Sequence, residues 1–120
     1  MQNMILVLLD NLFFSAKINQ AAEQSGLKVK YSKRADEAFD LARAEVPSLI
    51  ILDLDAAKCS PFDLIKRVKA DEEMKAIPTL GFFSHVNTGV QQQAREAGCD
   101  RVLARSVFDR NLPAILSQIS

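Results

Sequence analysis

In the stretch SLIILDLD a run of apolar β-formers stops at Asp53, and a second acid, Asp55, follows two residues later. An earlier apolar run, MILVLL, also ends beside an acid, Asp10, and a later one, RVLA, gives way to Arg105. Strand-terminal carboxylates of this kind can begin phosphoryl chemistry as nucleophiles, or do no more than satisfy loop amides. His85 follows the run PTLGFF at the same kind of boundary, where a lone imidazole is usually a loop residue and sometimes a titrating group. Cys59 has no neighbouring base to activate it. Cys59 and Cys99 lie far apart in no CxxC or Cys/His pattern, which argues against zinc.

Strand and helix patterns alternate five times along the 120 residues and must position these groups. NMILVLL reads as a continuous apolar strand. Phe14, Ile18, Ala21, Ala22 and Ser25 then follow at helical spacing and stop at Gly26, a natural C-terminal cap. Leu27, Val29 and Tyr31 alternate with polar residues, as in a strand nearer the edge. Ala35, Ala38, Phe39, Ala42 and Val46 mark a second helix closed by Pro47. SLIILD is apolar on both faces, the pattern of a central parallel strand. Ser60-Pro61-Phe62-Asp63 supplies a cap, a first-turn proline and an acid to a third helix, continued by Ile65 and Val68. PTLGFF is the fourth strand, and the helix from Thr88 to Ala97 ends at Gly98. RVLA is the fifth strand. Leu112, Ile115, Leu116 and Ile119 form the last stripe, with Pro113 tolerable only if that helix begins near Asn111.

Such units imply a parallel sheet with helices on both faces, joined by right-handed crossovers. Functional groups then gather beyond the C-terminal strand ends, at Leu9 and Asp10, Asp53 to Asp55, Phe83 to His85, and Ala104 and Arg105. Acids from two strands would meet a guanidinium from a third.

Fifteen basic residues balance fifteen acidic ones, so no global field draws the chain to nucleic acid or an anionic membrane. Lys28, Lys30, Lys33 and Arg34 read as a solvated edge. MILVLL is too short to span a bilayer, and no Lys or Arg precedes it as in a secretory signal. A single cytoplasmic domain with two reduced cysteines is expected.

Over essentially its whole length the chain resembles the receiver domain of bacterial two-component response regulators, a flavodoxin-like α/β fold. The resemblance rests on ILVLLDN, PSLIILDLD, IPTLGFFS and AREAGCDRVLARSV, on the spacing from Asp10 to Gly26, and on Gly98 before the last strand. It implies a doubly wound parallel sheet in the order 2-1-3-4-5 with a helix after each strand. It also implies that Asp53 holds the phosphoacceptor position. Mg²⁺ would be held by acids after the first strand, by Asp53, and by the backbone carbonyl two residues later.

The pocket departs from that pattern. Leu9 stands where the first of two acids is usual, leaving Asp10 alone. Phe83 replaces the usual Ser or Thr, with Ser84 one residue late. Arg105 replaces the lysine, Ser106 the proline after it, and Val102 the switch aromatic. Ala57, Ser60 and Pro61 replace the usual Pro and Asp-Gly of the loop after Asp53. Losing one carboxylate weakens a Mg²⁺ site built from few protein ligands. Phe83 cannot donate to a phosphoryl oxygen, and a planar guanidinium is not a compact ammonium. Arg105 could hold Asp53 in a bidentate pair and occupy the pocket permanently. Asp55 could stand in for the missing acid, or its side chain could equally face water. The metal candidates are Asp10 and Asp53, a weak Mg²⁺ site, with no other cofactor.

The sequence therefore predicts a receiver-like domain over residues 1–120 that keeps the fold and loses the switch. Such a pseudo-receiver is not an enzyme. It acts by contact with a signalling protein, a histidine kinase or an output protein, and with neither nucleic acid nor membrane. Docking is expected on the fourth helix, fifth strand and fifth helix (Val90 to Ala97, Arg101 to Arg105, Phe108 to Ile119), a surface that also suits a homodimer. The alternative is a working receiver phosphorylated on Asp53 by a histidine kinase. A remoter one is a haloacid-dehalogenase-type phosphatase, whose first motif LDLD resembles. That motif usually lies on the first strand, with Thr or Val where Ala57 stands, whereas two βα units precede it here.

Overall fold

The computed structural model describes residues 4–84 and 88–119. Its strands are β1 (Met4–Leu8), β2 (Lys28–Ser32), β3 (Leu49–Asp53), β4 (Thr79–Phe83) and β5 (Arg101–Ala104). All neighbours run parallel, in the order β2-β1-β3-β4-β5, which is the doubly wound order the sequence implies. Between and after them lie α1 (Ser15–Gln24), α2 (Ala35–Ala44), α3 (Pro61–Ala70), α4 (Thr88–Ala97) and α5 (Arg105–Ser117), with 3₁₀ turns at Leu12–Phe14 and Ala57–Cys59.

Every residue of β1, β3 and β4 is buried, as their unbroken apolar runs require of strands covered on both faces. Alternate side chains serve two cores. Ile5, Val7, Leu9, Ile51, Leu80 and Phe82 cluster with Ile18, Phe108 and Leu112 of α1 and α5. Leu6, Leu8, Ile50 and Leu52 cluster with Ala38, Leu64, Val68 and Ala94 of α2, α3 and α4. The edge strand β2 exposes Lys28 and pairs Lys30 with Glu45 at 2.8 Å, so the basic cluster is a charged sheet edge.

Gly26 (φ 70°) and Gly98 (φ 104°) take the left-handed conformation that ends α1 and α4. Gly81 is needed for a different reason: a Cβ there would lie 2.7–2.8 Å from Leu54, whose side chain packs on the bare β4 backbone.

Three local expectations are corrected. First, α5 starts at Arg105, directly after β5, and carries Pro113 in its interior. The ring is on the exposed side, where the missing N–H costs one helical hydrogen bond and no packing. Second, Val46 lies beyond the end of α2 and is exposed, because Glu45 has already turned to extended backbone. Third, Ser60 precedes α3 in a left-handed conformation and makes no side-chain cap; Pro61 does open the helix.

At the N-terminal end of the sheet, Asp100 ties three elements together. Its Oδ2 accepts from Lys69 Nζ (2.7 Å), the Thr79 backbone N–H (2.8 Å) and the Thr79 hydroxyl (3.1 Å). No helix among the described residues is long and apolar enough to cross a membrane.

Candidate functional site

The register lays the strand ends side by side: Leu8 beside Leu52, Asp53 beside Phe82, and Phe82 beside Leu103. Asp53, the last residue of β3, is 7% exposed and accepts a hydrogen bond on Oδ1 from the Asp55 N–H at 3.0 Å. Burial pushes its pKa up. The Asp55 N–H opposes that, the Asp55 charge adds to it, and Arg105 and Asp10 act more weakly with opposite signs; the balance stays above the ordinary carboxylate value. Asp10 follows β1 and is exposed.

Asp55 has a partner of its own. Its carboxylate accepts the Ser84 backbone N–H and so ties the loop after β3 to the end of β4. A strand-end N–H thus holds one oxygen of the carboxylate that the sequence leaves open to replace the missing acid or to face water. Ser84 is exposed, and this backbone bond fixes it in place. Leu9 is wholly buried in the α1/α5 core, and Phe83, 8% exposed, lies in the core under α2, α3 and α4. Val102 packs against that same core. His85 lies outside the described residues.

Arg105 departs most from expectation. It is not hydrogen-bonded to Asp53. Its Nε donates to Asp109 Oδ1 at 2.9 Å, one helical turn along α5. Its Cζ lies 3.6 Å from the centroid of the Phe14 ring and 5.0 Å from that of Phe82, a cation–π seat. Phe82 in turn stacks on Phe108 at 4.8 Å. Asp109 also receives Lys17 of α1 at 3.4 Å. The bidentate pair with Asp53 gives way because α5 begins at Arg105, which places Asp109 at the i+4 position. Sequence reasoning missed Asp109 and Phe14 as Arg105 partners. The spacing of Arg105 and Asp109 was a sufficient signal once the helix start was correct.

The donors that the resemblance assigns to Mg²⁺ are Asp10, Asp53 and the Asp55 backbone carbonyl. Among the described residues no group of three or more His, Cys, Asp or Glu side chains is arranged to hold a metal ion. The Asp55 carbonyl, the backbone ligand the resemblance implies, accepts the Ala57 N–H at 3.0 Å. Cys59 is buried nearby, and burial, with the charges of Asp10 and Asp53, raises its thiol pKa.

Comparison with known proteins agrees with this fold. The polar-differentiation response regulator DivK of Brucella ovis is 26% identical over 107 residues, covering 89% of this chain and 87% of that protein. Its homologues are response regulators. Among solved structures, a response regulator from Hahella chejuensis superimposes with a TM-score of 0.86 at 20% identity, covering 98% of this chain and 95% of that one. The chemotaxis response regulator CheY4 of Vibrio cholerae gives 0.82 at 18% identity over 100% of both chains. The fold is thus the receiver fold. No protein-family model matches the chain.

Proposed function

We propose that this chain is a receiver domain that signals by protein–protein contact without loading a phosphoryl group on Asp53. The seat of Arg105 carries this reading. The cation that would face a phosphoryl group is instead bonded to Asp109 and stacked on Phe14. Phe83 offers a core ring where a hydroxyl donor is needed, and Leu9 stands in the core where the first of the usual two acids would be. What remains is a rigid sheet with acids at its rim and an α4–β5–α5 face for a partner. A histidine kinase or an output protein is the class of partner proposed, with the protein in the cytoplasm.

The test is incubation with acetyl phosphate and Mg²⁺ followed by intact mass measurement. No adduct is expected. A stable adduct that Asp53→Asn abolishes would overturn the reading. Leu9→Asp is not a route to reactivation, because it would set a carboxylate inside the α1/α5 core.

A further inference from the structure

Two polar groups on the α1/α5 side of the sheet are incompletely matched. Arg105 Nη1 is buried and has no hydrogen-bond partner, although Nε is bonded to Asp109. A buried charged donor left unpaired carries a desolvation cost that a ring face offsets only in part. Asp53 is buried as well, and the hydrogen bond it accepts from the Asp55 N–H brings no opposite charge.

These two groups are close neighbours. Arg105 Cζ sits 5.0 Å from the Phe82 centroid, and Phe82 is the register partner of Asp53. Paired residues of parallel strands point to the same face, one strand spacing of about 4.8 Å apart. Burial raises the Asp53 pKa, and the Arg105 charge already works against that rise. The backbone on which Arg105 rides is fixed, since no residue separates β5 from α5. Passage of the guanidinium from one acid to the other would then call on the Arg105 side-chain torsions alone.

We infer that Arg105 is a two-position latch, with one seat on Asp109 and the Phe14 ring and a second on Asp53. In the second seat the fork-shaped guanidinium meets a carboxylate and Nη1 gains its missing acceptor. Leaving the first seat uncovers Phe14 in the Leu12–Phe14 turn, whose neighbour Phe13 is 89% exposed. A partner that engages this turn and the covering of the pocket acid are thereby linked, each biasing the other by the same free energy. This deepens the proposed function and rests on Asp53 being an unmodified carboxylate.

The test is NMR of the isotopically labelled full chain without a phosphodonor. It follows the Arg105 Nε–H resonance, assigned by its loss in Arg105→Lys, and its contacts to the Phe14 ring. Asp109→Asn should abolish the Arg105–Phe14 contact and shift the Asp55 amide, which is bonded to Asp53. Adding Asp53→Asn should return Arg105 to Phe14. Phe14→Leu keeps Asp109 intact and should populate the Asp53 seat in part, which keeps the inference testable if Asp109→Asn does not fold. Arg105 remaining on Phe14 in Asp109→Asn, or moving away with the Asp55 amide unshifted, overturns the latch. A phosphoryl adduct on Asp53 in the separate mass experiment would overturn the proposed function and leave the NMR result for the unmodified protein standing.

Discussion

Removal of the Asp100 carboxylate should measure how far one side chain holds the N-terminal end of the sheet together. Thr79 is 1% exposed, and its backbone N–H has Asp100 Oδ2 as acceptor at 2.8 Å. In Asp100→Ala that N–H is stranded, a cost of about 1–3 kcal/mol. The ion pair adds less. The Asp100 side chain is 47% exposed, and Lys69 keeps the carbonyls of Lys75 and Ile77 at 3.2 and 2.9 Å. An exposed pair of this kind is worth at most ~1 kcal/mol. The total, about 1–4 kcal/mol, should lower the urea midpoint by ~1 M or more for a protein of this size. Asp100→Asn, which keeps an acceptor, should cost about half as much. Burial acts to raise the Asp100 pKa, but the hydrogen bonds from Lys69 and Thr79 and the Lys69 charge outweigh it and hold the carboxyl below its usual value. The depressed pKa makes this stabilisation present above the ordinary carboxylate range and lost as pH falls through the folded value. Asp100→Asn should remove that acid-limb component. An Asp100→Ala midpoint no lower than that of Glu72→Ala, a highly exposed control expected within ~0.5 kcal/mol of wild type, would refute the reasoning.

Tyr31 is the single tyrosine, and burial pushes its pKa from 10.0 up to about 12, so a phenolate absorbance titration should show one late transition. Because the raised value favours the neutral phenol in the folded state, stability should fall as pH rises from 10.0 toward about 12. Gly81→Ala should destabilise by about 1–3 kcal/mol in urea unfolding, since the new methyl meets Leu54 within van der Waals distance. Cys59 and Cys99 are both buried with raised thiol pKa values, burial being the main cause, so a thiol reagent should label them at the rate of opening and rapidly only in denaturant.

The strands were legible because β1, β3 and β4 are uniformly apolar and the left-handed glycines at 26 and 98 punctuate the helices. Topology then followed from parallel crossovers, and the strand-end acids fell at one rim without any knowledge of side chains. The start of α5 was hidden because an exposed interior proline looks, in sequence, like a first-turn proline. That error concealed Asp109 and with it the seat of Arg105. The choice between Asp53 and Asp109 also depends on Phe14, which arrives from the far side of the sheet order, and no local pattern encodes such a meeting. Asp55 was ambiguous for the same reason: its acceptor role is set by the Ser84 N–H on a different strand end.

Lys28 stands in solvent on the β2 rim and Lys30 is clamped to Glu45 beside it. A second molecule adding a strand there would have to bury ammonium groups against its own backbone. Fibril-like growth is blocked on that side. Chain-to-chain strand pairing therefore has the opposite rim, β5, as its available starting line, where Arg101 is exposed and the other three residues are half-buried.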